Sequence, residues 1–474
     1  MAGRIALFLK LGNNVALHSQ VKTVASLASL YAFRMMGLFM VLPVLMLYGN
    51  QYAGATPFLL GVALGIYGLT QAIFQIPLGL LSDIVGRKPV ILLGLLIFAA
   101  GSVIAALATS IEGLLIGRAL QGSGAIASAI MAMVADLTSE ENRTKAMAAI
   151  GASIGLSFSV AMIVGPGVAS VAGLNGVFAL SAALAICGVV VLLVIVPTPP
   201  RSSRSHRDTG AIPALIRSTA RDTQLLRLNF GIFSLHFILM AAFVVVPSML
   251  ESQLALSRDS HWLIYLLLLG AAFVLMLPFI MIAERKRQVK TFFLGSIMVL
   301  ACALAVLGWL SLAQSMYIGV LLVFFTAFNL LEASLPSLVS KQAPAGAKGT
   351  AMGLYSTCQF LGAFAGGVSG GWLLQAQGAT AVYQLASVVA FVWLVFAASM
   401  QRPKYLSSLC LSVEDGFAAT MDILTVPGVE EVLLVSEESL LYLKVDKRHF
   451  DEVVLNQVLA GAINVRAGDT KVVV

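Results

Sequence analysis

Charge is what this chain has least of. Asp, Glu, Lys and Arg make up only 11% of its 474 residues, 59% are hydrophobic, and the mean hydropathy is +0.95. Soluble domains carry about a quarter charged residues, so a soluble protein is excluded and a polytopic membrane protein is indicated. Cysteine is scarce too. Cys187, Cys302, Cys358 and Cys410 stand far apart, which gives neither a disulfide framework nor a zinc-ligand spacing. No nucleophile–base constellation is visible, so no enzyme, metal or cofactor is expected. The apolar runs also lack the alternation of a barrel, which leaves helices as the spanning element.

A helix needs about 20 mainly apolar residues to cross the hydrocarbon. Twelve such runs are predicted, at 22–48, 58–81, 89–108, 113–135, 146–167, 174–196, 228–250, 261–283, 291–311, 315–339, 349–373 and 380–400. Counting loops alternately, one side collects Lys22, Arg87, Lys88, Arg143, Lys145, Arg201, Arg217, Arg285, Lys286, Lys290, Lys341 and Lys348, while the other holds only Arg258. The positive-inside rule then makes both termini cytoplasmic, with segment 1–21 a retained cytoplasmic stretch and not a signal peptide. The net charge of +7 follows from this topology and calls for a lipid bilayer as partner, not a nucleic acid.

The chain divides at its longest polar interruption, rich in proline, serine and arginine. Two six-helix bundles, 22–196 and 228–401, flank a cytoplasmic linker at 197–227, the gross pattern of repeat-built transporters. Over residues 404–474 six basic residues face eleven acids, so 402–474 reads as a small soluble domain. "SSLCLSV", "EEVLLV", "LLYLKV" and "TKVVV" read as strands, and "FAATMDILT" and "KRHFDEVVLNQVL" as helices, in the β-α-β-β-α-β order of a ferredoxin-like fold. The predicted class is therefore an all-α membrane protein of twelve transmembrane helices with a small α+β cytoplasmic domain.

Ionisable residues within a bilayer mark function by default. Four occur: Arg34, Arg118, His236 and Glu332, on spans one, four, seven and ten, the same place in each group of three. That spacing suggests one shared cavity. Glu332 is the only acid at hydrocarbon depth, hence the candidate for reversible protonation, with Arg34 or Arg118 as the cation expected beside it. His236 serves equally well as an interhelical hydrogen-bonding group. Tyr67, Gln71, Gln75, Asn329, Tyr355 and Gln359 are candidates to line a substrate cavity, although the same residue types also glue helices together. Gly151, Gly155, Gly165 and Pro166 on span five read as helix packing.

"GLLSDIVGRKPVI" (79–91) places an acid and two bases in a tight loop. Asp83 is positioned to accept hydrogen bonds from the N–H groups at another helix's N-terminus, and Arg87 to pair with Asp136 at the end of span four. Gly79 and Gly86 permit the approach and the turn, and Lys88 adds charge, so the loop reads as a conformational latch.

With these residues in view, the chain resembles the major facilitator superfamily, in particular its drug:proton antiporter branch. "GLLSDIVGRKPVI" resembles that family's motif A, with Ile84 where an arginine is common; "LLIGRALQGSGA" (114–125) resembles motif B; "VGPGVAS" (164–170) resembles motif C, with Ala169 and Ser170 in place of a glycine pair. The resemblance implies alternating access in a bacterial-type inner (plasma) membrane, with spans one, four, seven and ten lining the centre. It further implies that Arg118 takes part in proton transfer, and that Asp83, facing the start of span eleven near Gly349, stabilises the outward-facing state together with Arg87 and Asp136. The expected activity is proton-coupled export of amphipathic drugs or metabolites, with protons and a small molecule as partners. An uptake symporter of the same fold, or a membrane sensor signalling through its tail, are the alternatives. The tail is similar to heavy-metal-associated domains but lacks their Cys-x-x-Cys, so a module for regulation or for an unknown ligand or partner is expected, or else an inert appendage.

Overall fold

A computed structural model describes residues 22–138, 140–198, 213–254, 257–401, 406–413, 420–435, 440–446 and 448–463. Segment 1–21, most of the linker and the last predicted strand lie outside the described residues. The helices are α1 (22–39), α2 (Leu45–Tyr48), α3 (Pro57–Val85), α4 (Arg87–Leu107), α5 (Ile111–Ser123), α6 (Ala127–Asp136), α7 (Glu140–Val194), α8 (Pro213–Arg221), α9 (Thr223–Leu254), α10 (His261–Arg285), α11 (Val289–Trp309), α12 (Gln314–Gln342), α13 (Lys348–Gln377) and α14 (Ala379–Ala398).

Among the described residues nine helices are long and apolar enough to cross a membrane. One of them, α7, is 55 residues long, roughly 80 Å at 1.5 Å per residue. That is too long for one crossing, and Gly173, at φ 65°, breaks it into spans five and six. Counting α7 twice and adding the α1–α2 pair and α13 gives the twelve spans. α13 misses the apolar threshold because glycine, serine and glutamine dilute its hydropathy.

Local chemistry explains the element ends. Thr56 caps α3 by accepting from Leu59 N at 3.2 Å, with Pro57 in the first turn, and Asp222 Oδ1 caps α9 by accepting from Gln224 N and Leu225 N, both at 2.9 Å. Gly86, at φ 108°, divides α3 from α4. Three predicted boundaries change. Span one unwinds through residues 40–44, where Pro43 lacks an N–H and the Met40 carbonyl abuts Gly165. Span four splits into α5 and α6 at residues 124–126, beginning at Gly124, a weak helix former. The end of the predicted linker forms α8, whose Thr219 is buried while Arg217 is exposed.

Helix α13 holds the bundle together by packing against both α3 and α9. A Cβ at Gly362 or Gly366 would lie 2.1 Å from the carbonyl of Phe233 or Phe237 on α9. On the other side, Cβ atoms at Gly61, Gly65 and Gly68 of α3 would lie 2.4, 2.7 and 2.5 Å from the carbonyls of Gly367, Phe364 and Phe360. Lipid supplies no hydrophobic drive for helix association, so such backbone contact is where dispersion energy is gained. The packing expected of Gly151 and Gly155 is corrected: a Cβ at either meets nothing within 4 Å, whereas one at Gly165 would lie 2.4 Å from the Met40 carbonyl. Pro166 lies inside α7.

The tail forms an antiparallel sheet of order β1-β3-β2, from β1 (Ser407–Ser412), β2 (Val429–Val435) and β3 (Leu440–Val445), with α15 (Thr420–Ile423) and α16 (Glu452–Ile463). Leu441, Leu443 and Val445 pack with Ile423 of α15 and Leu455 and Leu459 of α16. The alternate residues Leu440 and Tyr442 pack with Ala345, in the loop between α12 and α13. Glu431 accepts from Ala345 N at 3.1 Å and Lys444 donates to Lys341 O at 3.1 Å, so both sheet faces are covered.

Substituting Gly366→Val is expected to lower the stability of the detergent-solubilised protein by about 2–3 kcal/mol, because the clash is with backbone that has no rotamer to yield. Gly151→Ala is expected to stay within about 0.5 kcal/mol of the parent. Thermal unfolding of both variants checks the pair.

Candidate functional site

The intramembrane ionisable residues fall into two clusters. The first lies within α1, α3 and α5. Arg34 is fully buried; its Nη2 donates to Gln71 Oε1 at 2.5 Å, and its guanidinium lies 5.8 Å from the centre of the Phe98 ring. Gln71 passes the network on by donating to Gln75 Oε1 at 3.1 Å. Arg118 is equally buried but fully bonded. Its Nε and Nη2 donate to the carbonyls of Ala63 and Leu64 at 3.0 and 3.4 Å, Nη1 donates to Gln121 Oε1 at 2.8 Å, and the group lies 5.2 Å from the Tyr67 ring centre. Gln121 in turn donates to Ser102 at 2.8 Å.

The second cluster joins α9, α12 and α13. Gln359 Nε2 lies 2.7 Å from His236 Nε2. An amide nitrogen only donates, so His236 Nε2 accepts and the neutral ring carries its proton on Nδ1. Nδ1 faces Glu332 Oε2 at 3.9 Å, too long for a hydrogen bond, and Oε2 has no hydrogen-bond partner. The Glu332 side chain remains 38% exposed. Its basic neighbour is thus His236, which corrects the expectation of Arg34 or Arg118. Tyr355 is buried with an unpartnered hydroxyl, and Asn329 lies half-buried on α12. The two clusters meet where Tyr67 of α3 packs edge-on to Phe360 of α13, ring centres 6.3 Å apart.

At the α3–α4 turn, Arg87 pairs with Asp83 of its own loop, donates from Nε to Asp136 at 3.1 Å and from Nη1 to Ser82 at 2.8 Å. Lys88 donates to the Val196 carbonyl at 2.9 Å, and a Cβ on Gly79 would lie 3.0 Å from Ser128 Cβ. Ser82 and Gln121 escaped the sequence reading. Gln121 sits three residues beyond Arg118, a helical spacing that carries the signal. At the end away from the basic loops, Arg258 donates to Glu251 and to the Leu47 carbonyl, each at 2.9 Å, and lies 5.5 Å from the Tyr48 ring centre. It thereby ties the two six-helix halves.

Two helical halves, meeting at a glycine seam with polar groups at its middle, define a membrane transport protein. The chain belongs to the Major Facilitator Superfamily, whose profile matches residues 27–367. It is 45% identical over 445 residues to the inner membrane transport protein YajR of Escherichia coli (strain K12), covering 92% of this chain and 96% of that one. An uncharacterized transporter, BU466, of Buchnera aphidicola is 37% identical over 349 residues, 73% of this chain and 89% of that one. The crystal structure of a bacterial homolog to human lysosomal transporter Spinster shares the fold, with a TM-score of 0.65 at 14% identity over 80% of this chain and 96% of that one.

Asp83→Asn removes the charge that holds Arg87 within its loop while Asp136 and Ser82 remain. Transport in vesicles is expected to fall about five- to tenfold, the scale of a conformational coupling, with unchanged elution of the folded protein. Undiminished flux would separate the latch from transport.

Proposed function

We propose that this chain is a proton-coupled secondary transporter of a bacterial inner membrane that exports amphipathic small molecules by alternating access. Its halves, 22–196 and 228–401, rock about the α3–α13 seam, with both termini cytoplasmic. The observation that carries this reading is the Glu332–His236–Gln359 cluster. Gln359 bonds one ring nitrogen of His236, and the other lies 3.9 Å from Glu332, the one acid in the hydrocarbon-depth part of the spans. The Glu332 side chain is partly exposed, which supports proton exchange at this residue.

Coupling requires that protonation change the relative stability of two conformations. A neutral Glu332 removes negative charge from one side of the seam, and His236 and Gln359 link that change directly to α9 and α13. Arg118, bonded to the α3 backbone on the other side, holds the first cluster rigid as the seam moves. The tail is proposed to regulate this motion, because its sheet grips the loop at 343–347 that leads into α13.

The test is proton flux in vesicles containing purified protein under an imposed pH gradient. Substrate-dependent proton movement is expected for the wild type and is abolished in Glu332→Gln; a variant driven normally by the gradient would place the proton elsewhere. The direction of substrate movement separates export from uptake.

A further inference from the structure

We infer that the site at the α3–α13 seam takes anionic amphiphiles, with Arg34 as the anchor for the acidic group. This deepens the proposed transport reading and rests on it for the site's place in the transport cycle.

The unmet groups at the seam that can only donate belong to Arg34. Arg34 Nε and Nη1 are buried without hydrogen-bond partners, and the hydroxyls of Tyr67 and Tyr355, each able to donate or accept, are unpartnered too. Against them stands a single unpartnered carboxylate oxygen, Glu332 Oε2. Arg118 shows that the fold can give every nitrogen of a buried guanidinium a partner, using two carbonyls and Gln121. Arg34 keeps only Gln71. An unsatisfied buried cation is unfavourable unless something else meets it, and Arg34 therefore has the open valence that a transient partner fills.

Charge points the same way. With Arg34 and Arg118 charged and Glu332 ionised, the three groups still sum to a positive charge, and protonating Glu332 raises it. A cationic ligand would add like charge in a low-dielectric setting, whereas an anion neutralises it. Guanidinium groups suit planar acids such as carboxylates, and the rings of Phe98, Tyr67, Phe360 and Phe328 provide apolar surface for the rest of the molecule. Arg34 is sealed in this conformation, so the seam, closed by Tyr67 against Phe360, must open before a ligand reaches it.

Equilibrium binding in detergent, with no gradient, separates this claim from proton coupling. The probes are naphthylacetate, naphthylacetamide and naphthylethylammonium, which share one apolar body. Naphthylacetate is expected to bind at least about tenfold more tightly than the other two, a difference of about 1.4 kcal/mol. Arg34→Gln should erase that preference, Arg34→Lys should retain part of it, and Glu332→Gln should keep or strengthen it. Equal or tighter binding of the ammonium probe, binding of none of the three, or a preference unaffected by Arg34→Gln would overturn the proposal. If Arg34→Gln does not yield folded protein, Arg34→Lys decides, since a lysine that binds naphthylacetate as tightly as the parent also contradicts a guanidinium anchor. Absence of substrate-dependent proton flux in vesicles of the wild type, with its carboxylate preference intact, would fault the coupling reading alone.

Discussion

Backbone contact between α13 and its two neighbours is the constraint on which the rest of the structure depends. In lipid, apolar side chains gain nothing by leaving one hydrocarbon for another, so helices are held by close dispersion contacts and polar bonds. Glycines bring α13 against α3 of one half and α9 of the other. One helix thus belongs to the core of one half and to the interface with the other. Any rocking of the halves must slide or part this seam, and the polar clusters at its middle are the groups that such a motion exposes.

The clusters differ in how far they are satisfied, and that difference assigns their roles. Arg118 is tied to the α3 backbone and behaves as part of the frame. Arg34, Tyr67, Tyr355, His236 and Glu332 retain buried polar atoms without hydrogen-bond partners. Such groups are disfavoured in a static core and are useful in a site whose partners come and go. At the two ends of the bundle the bonds have other uses: Arg258 joins the halves at one end, and Arg87 gathers Asp83, Ser82 and Asp136 at the other.

Much of this was legible in the sequence, because the bilayer makes composition decisive. The positions of the spans followed from length and hydropathy, the tail's strand β1 from alternation and β2 and β3 from their hairpin pattern. Singling out Arg34 and Glu332 needed only the rarity of charge within spans, while the place of their helices at the centre came from the family resemblance. Three-dimensional approach was not legible. Glycines at 151 and 155 look like those at 362 and 366, and only the fold shows that the latter meet a carbonyl while the former meet nothing. Likewise "LLYLKV" reads only as a strand, and the fold alone shows that all six residues are buried, with the α12–α13 loop against one face. The pairing of Glu332 with His236, and not with an arginine, depends on helix rotation, which sequence spacing does not carry.

The most direct test of the central claim is the distance change at the two ends of the bundle, read by pulsed spin-label spectroscopy in lipid. One label pair joins Ile84 to Lys286 at the basic end and another joins Leu107 to Trp309 at the opposite end, all at exposed positions. Comparing the wild type with Glu332→Gln, which imitates the protonated acid, the account predicts that one distance grows as the other shrinks. Unchanged distances at both ends, or changes of the same sign, would contradict a seam whose motion is governed by Glu332.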